Sequence, residues 1–294
     1  MTYKGVLAVF LLLAPLAVAE AQDTPEVKQQ DAPQQINDFS ISGYGEKGRK
    51  SWDVSGKSAD ILDDKVNLKE VKGNLYGEDD NVSLTADKGV FHREAGVVHL
   101  EDNVFITTTS GVTLTTDSLD WDRKNQQVAT PDEVNIEREN MIANALGASG
   151  RPELSQVTLK KNVKAEITPD NPGAAAEDKV KVVVTCDGPL DIDYAKNVAV
   201  FKNNVKIDRP DAQIYSDEMT VYFSRRAGAA KSGKDINGSL EKIVARGNVK
   251  VVRGENISYS EEAVYNASDG RIVLSGKPKL IINSTGNMNA PSGN

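Results

Sequence analysis

The sequence predicts an all-β protein laid out as a long antiparallel meander. Three observations carry that prediction. Apolar and polar residues alternate in period two over most of residues 40–285, and no stretch there has the 3.6-residue period of an amphipathic helix. One alternating pattern with a polar residue at its centre occurs five times. Glycine-bearing turns separate the alternating runs, as hairpins require.

The first segment lies outside that sheet. MTYKGVLAVFLLLAPLAVAEAQDTP begins with Lys4, continues through an apolar run from Gly5 to Val18 and reaches the small-x-small triplet Ala19-Glu20-Ala21. This is the layout of a secretory signal peptide over residues 1–21, cut before Gln22. The run contains Pro15 and falls short of the roughly 20 apolar residues of a spanning helix. Export is therefore expected, with an uncleaved membrane anchor as the rival reading. Residues 22–38, with DTPEVKQQDAPQQ, read as a disordered spacer.

The repeated unit is apolar-x-apolar-x-polar-x-(Val or Pro)-x-apolar. In VVHLEDNVFI one face carries Val98, Leu100, Asp102, Val104 and Ile106. SQVTLKKNVKAEI, NVAVFKNNVKI, EKIVARGNVKVV and GRIVLSGKPKLII repeat it, with Lys161, Asn203, Gly247 and Gly276 at the centre. An unpaired carboxylate inside a core would be costly. Asp, Asn and Gly instead tolerate bulge backbone, and Lys can snorkel. Each strand is therefore expected to bend at its centre, so that the middle side chain leaves the core while both halves stay in register.

A longer unit surrounds the bend. TADKGVFHREAGVVHLEDNV and YSEEAVYNASDGRIVLSGKP align without gaps, with Phe91 against Tyr265, Gly96 against Gly270 and Leu100 against Leu274. A strand ends at an aromatic residue, a turn follows, and the bent strand returns. The strands ending near Trp121 and Tyr222 begin with the same Ser/Thr-x-acid signature. The bend-to-bend spacings are irregular, which argues against a solenoid of constant coil length.

Two segments break the pattern. TPDNPGAAAEDK, residues 168–179, reads as a linker. It divides the chain into units at 39–167 and 180–290. SRRAGAAKSGKDINGS, residues 224–239, is a basic loop carrying Arg225, Arg226, Lys231 and Lys234. It reads first as solvated and second as a contact for lipid phosphates or an acidic partner.

Composition narrows the function. The net charge is −8, which disfavours a nucleic-acid partner because phosphate binding needs a basic face. The single cysteine, Cys186, cannot form an intramolecular disulfide and reads as a small buried hydrophobe. No nucleophile elbow, zinc helix or glycine-rich phosphate loop is present. His92 and His99 flank one turn and could hold a metal with Glu94, but alternation puts them on opposite faces, so no metal and no cofactor are expected. Asp63-Asp64 and Glu78-Asp79-Asp80 could serve a glycosidase but lie in turn-like stretches and read as solvated charges.

Two parts of the chain resemble known families. Residues 51–147, with Trp52, Ala59, Ala86-Asp87, the Val98–Ile106 strand, Leu114-x-Thr116, Trp121-Asp122 and Pro131, are similar to LptC, a periplasmic component of the lipopolysaccharide exporter. PLDIDYAKNVAVFKNNVKI through ISYSEEAVYNASDGRIVLSGKPKL is closer to LptA, the OstA-like bridge protein. The resemblance implies an elongated antiparallel two-sheet β-jellyroll, open as a V-shaped trough. It implies a periplasmic, non-enzymatic bridge carrying lipid A acyl chains of lipopolysaccharide from inner to outer membrane. The implied trough residues are Val98, Leu100, Val104, Ile106, Leu114, Ala199, Phe201, Val205, Ile207, Ile243, Val249, Val251, Ile272 and Leu274. The implied partners are other Lpt proteins joined by edge-strand pairing, namely the inner-membrane ABC transporter and the outer-membrane LptD-type assembly, with a homo-oligomer as a further possibility. The open edges are expected near Trp52 and near Leu280–Ile282. A structural or adhesive exported β-repeat protein without lipid cargo is the alternative, and a carbohydrate-active enzyme on a β scaffold a third. Two features depart from the family pattern. LptC proteins usually keep their N-terminal anchor, and this chain joins both kinds of unit in one polypeptide.

Overall fold

The computed structural model describes residues 34–45, 48–77, 81–122, 124–125, 127–138, 141–151, 156–168, 181–223, 240–269 and 271–282. Their strands run, in order, β1 (Gln34–Tyr44), β2 (Lys50–Leu62), β3 (Lys65–Tyr76), β4 (Asn81–His92), β5 (Val97–Thr108), β6 (Val112–Asp122), β7 (Gln127–Arg138), β8 (Met141–Arg151) and β9 (Gln156–Ile167). Then come β10 (Val182–Cys186), β11 (Leu190–Asp193), β12 (Val198–Arg209), β13 (Ala212–Phe223), β14 (Leu240–Arg253), β15 (Asn256–Asn266), β16 (Ile272–Ser275) and β17 (Lys279–Ile281). From β1 to β9 and from β12 to β15, each strand pairs antiparallel with its neighbour in sequence. The expected meander is the observed topology.

Two rungs of this ladder are broken strands. β10 and β11 both lie between β9 and β12. β16 and β17 both pair with β15. Seventeen strands therefore make fifteen rungs, roughly 65 Å of sheet at ~4.8 Å per rung.

The central bends are real, and their cause is left-handed backbone. Asp102 and Asn103 have φ of 62° and 53°, Asn203 and Asn204 64° and 52°, and Gly247 and Asn248 74° and 48°. Asn, Asp and Gly enter this region at little cost, Asn and Asp because their short side chains bond locally. Pairing slips at each bend, between Glu101 and Val104, Lys202 and Val205, and Arg246 and Val249. In β9 the left-handed residue is Asn162 (φ 51°), one position after the expected Lys161. The amide side chain tolerates the conformation better than the β-carbon of a lysine with no local partner.

The bends fold the sheet into two leaves. In β5 Leu100 and Val104 are buried while Glu101, Asp102 and Asn103 between them are exposed. β9 repeats this with Leu159 and Val163, and β12 with Phe201 and Val205. The bend points outward and the flanking apolar residues point inward, so Asp102 sits on the convex side. There Lys88 Nζ lies 2.7 Å from its carboxylate.

One core runs from Val134 in β7 to Ala263 in β15, and a smaller one joins Val71, Ala86, Leu100, Val104 and Leu119 in β3 to β6. The larger core crosses the segment 168–180, because β9 pairs with β10 and β11. The two sequence units thus share a single sheet.

Two expectations are corrected. Trp52 is not on an edge strand, because β1 covers β2, pairing Gly43 with Trp52. Gln34 to Asp38, placed in the spacer by their polarity, belong to β1, where Phe39 is the one buried side chain. The signal segment, most of the linker, Glu78-Asp79-Asp80 and the basic loop 224–239 lie outside the described residues.

Candidate functional site: the concave apolar face

The fourteen residues expected to line the trough share the inward face, in four cross-strand rows, two on each side of the bends. On the first leaf, next to the bend, one row runs Ala148, Leu159, Leu190, Phe201, Met219, Ala245, Ala263 and Leu274. Leu100, paired with Leu119, is the matching position in β5. The row nearer the rim runs Val157, Ile192, Ala199, Val221, Ile243, Tyr265 and Ile272. Val98, paired with Trp121, matches it in β5.

The second leaf has the same organisation. Next to the bend stand Val104, Val134, Val163, Val205 and Val249. Nearer the rim run Ile106, Leu114, Ile136, Ala143, Ala165, Val184, Ile207, Ile214 and Val251. Val205 and Val249 pair with Ser216 and Ser260, whose hydroxyls are buried.

Burial follows distance from the bend on the outer strands but not on β12, where Ala199 and Ile207 of the rim rows are buried at 6 % and 4 % exposure. Val104, Val205 and Val249 are each 1 % exposed. Val98, Ile106, Leu114, Ile243, Val251 and Leu274, further from the bend or nearer the end of the sheet, are half-buried, and Ile272 on the last rung is 40 % exposed. The apex is thus packed shut by its own side chains, while the rim row of the second leaf is partly exposed on β5–β7 and β13–β14 and closed between them, where Ala143, Ala165, Val184 and Ile207 are buried. Sequence alternation groups these residues on one face but does not rank positions along it.

Among the described residues the apolar rows hold no charged side chain, but the buried hydroxyls of Thr116, Thr130, Ser216 and Ser260 stand among them. At the bends, asparagine amides donate to carboxylates of neighbouring rungs: Asn103 Nδ2 to Asp87 at 2.6 Å, Asn204 Nδ2 to Asp187 at 2.5 Å and Asn248 Nδ2 to Asp217 at 2.8 Å. These carboxylates satisfy the side chains that local backbone geometry forces outward. Sequence reading missed the pairs because each joins different strands. The repeated Ser/Thr/Ala-acid dipeptides, Ala86-Asp87 and Ser216-Asp217, are their trace.

The candidate catalytic and metal groups do not converge. His99 Nδ1 lies 2.5 Å from Asp120 and Nε2 3.0 Å from Glu101, on the convex side. The hydrogen bond to Asp120 raises its pKa above the ordinary histidine value. Asp64 accepts from the Glu94 backbone N–H at 3.1 Å, which makes it a turn residue. Cys186 is buried, and burial pushes its thiol pKa up. Among the described residues no three His, Cys, Asp or Glu side chains form a metal-binding group.

Comparison with known proteins agrees with this geometry. A protein of Rhizobium meliloti (strain 1021) described as uncharacterized is 26 % identical over 138 residues, covering 46 % of this chain and 67 % of that one. Residues 189–293 match the family model described as LptA/(LptD N-terminal domain) LPS transport protein. Residues 5–168, more than half of the chain, match the model of the LptC-related lipopolysaccharide-assembly family. The first match ends with β9 and the second begins next to Leu190, so the two meet where β9 pairs with β10 and β11. The chain is a member of the LptC-related lipopolysaccharide-assembly family, followed in the same polypeptide by an LptA-like unit.

Proposed function

We propose that the chain is a non-enzymatic periplasmic segment of the lipopolysaccharide bridge and that acyl chains lie against its concave face. The observation that carries this reading is the burial gradient. Ile106, Leu114, Ile136, Ile214 and Val251 on one rim and Ile192, Val221 and Ile243 on the other stay partly exposed, although a folded protein gains by covering such surface. An acyl chain laid along them would gain about 0.8 kcal/mol for each methylene withdrawn from water. The binding force is then apolar and tolerates a net charge of −8, since salt screens long-range repulsion within about 10 Å.

The bridge requires open sheet ends, and both ends support it. Among the described residues β1 pairs only with β2, and β16 and β17 only with β15. Ile41 and Tyr44 in β1 and Leu280 and Ile282 at the other end are exposed. Unpaired strand edges accept a further strand, and the proposed partners are the Lpt proteins on either side, at the inner membrane and at the outer membrane. Export with cleavage near Ala21 completes the proposal. Among the described residues no helix is long and apolar enough to cross a membrane.

Native mass spectrometry of the protein purified from the periplasm tests the reading. Co-purified lipopolysaccharide, displaced by added fatty acid, is expected. A lipid-free protein that also fails to take up added lipopolysaccharide would return the apolar rows to ordinary core packing.

A further inference from the structure

The second leaf of the C-terminal half ends in arginines. On the second leaf, Ile207 and Val251 face inward. Two residues further along their strands, with the same facing, stand Arg209 and Arg253, the last residues of β12 and β14. Arg138 occupies the same place at the end of β7, two residues beyond Ile136. It is buried. Inward of these ends, the rows named above carry no charged side chain.

Arg209 and Arg253 converge on one carboxylate. Arg209 holds Asp211 through two contacts, Nε at 2.9 Å and Nη2 at 3.4 Å. Arg253 Nη2 reaches the same carboxylate only at 4.0 Å. One anion thus stands between two guanidinium groups. Both arginines remain open to solvent, at 41 % and 60 % side-chain exposure.

We propose that the Arg209–Arg253 pair is the subsite that receives the phosphate of an amphiphile whose chains lie on the concave face. The inference rests on the acyl-chain reading above. An amphiphile with its tails between the leaves must leave its headgroup at a rim. Guanidinium groups bind phosphate through paired, charge-assisted hydrogen bonds. At short range and low ionic strength, where screening is weak, the headgroup phosphate is drawn to these cations, so this lip orients the cargo with its phosphate toward β12–β14. Asp211 holds the two arginines in place until the headgroup arrives.

The test compares lipid A bearing its phosphates with the same lipid stripped by phosphatase, titrated against the intact protein at low ionic strength. The wild type is expected to bind the phosphorylated lipid about tenfold more tightly. In Arg209→Gln/Arg253→Gln the preference should fall to near unity. Arg246→Gln, which removes a convex-side partner of Glu262, should leave the preference in place. Equal affinity of the wild type for both lipids would overturn the phosphate subsite while the acyl-chain reading stands. A preference that survives the double substitution would overturn it as well. Binding of neither lipid would overturn both.

Discussion

Replacing Gly188 by alanine is expected to destabilise the protein by about 2–4 kcal/mol. Gly188 lies between β10 and β11 with a φ of 99°. A β-carbon there would stand 2.3 Å from the carbonyl oxygen of Lys160, 2.8 Å from its carbonyl carbon and 3.0 Å from the Cα of Lys161. All three obstacles are backbone, so none can turn aside as a flexible side chain would. Relief requires β9 and the broken rung to separate, where Val163, Cys186, Leu190 and Phe201 share the larger core. Gly254→Ala is the matched control. It has a φ of 56° and nothing within 4 Å of the added carbon, so only the left-handed penalty of about 1 kcal/mol remains. Denaturant midpoints of the two variants should differ clearly and in this order.

Val249→Asp is expected to cost about 3–5 kcal/mol, a large share of the ~5–15 kcal/mol that stabilises a typical domain. Val249 is 1 % exposed at the apex of the concave face, beside Ser260 and within the larger core. A carboxylate there has no cation to pair with inside the apolar rows. Lys250, the next residue, points outward with its ammonium 5.6 Å from the centroid of Tyr215. Lys250→Gln should cost under about 1 kcal/mol. Chemical denaturation monitored by far-UV circular dichroism measures both. Comparable losses at the two positions would contradict the assignment of faces.

The fold was legible where one strand carried the whole signal. Period-two alternation identified the inward face of β5, β9, β12 and β14 and placed their bends to within one residue. The bend between β10 and β11 escaped notice, although Cys186 and Leu190 flank Asp187-Gly188-Pro189 with the same spacing as Leu100 and Val104. The reason is that Gly188 and Pro189 interrupt the alternation that would reveal it. β1 was read as spacer because Phe39 is its one buried residue and its pairing with β2 supplies the rest of its order.

Features that depend on register were not legible at all. The Asn–Asp clamps at the bends join residues 16, 17 and 31 positions apart. The convergence of Arg209 and Arg253 on Asp211 has the same origin. The gradient from packed apex to open rim is a property of two leaves diverging from a common line. No single strand encodes it, which is why Val249 and Val251 looked equivalent in sequence and differ in the structure.

That difference supplies the most direct test of the acyl-chain reading. A photo-cross-linking residue is placed at Val251, at Ile243, at Lys250 or at Val249, and the cells are irradiated during lipopolysaccharide export. Val251 and Ile243 are half-buried on the rim rows of the two leaves, Lys250 faces the convex side, and Val249 is sealed in the apex. Adducts with lipopolysaccharide are expected at Val251 and Ile243, few at Val249 and none at Lys250. Equal labelling of Lys250 and Val251, or no labelling at either rim position, would contradict the assignment of the concave face as the lipid path.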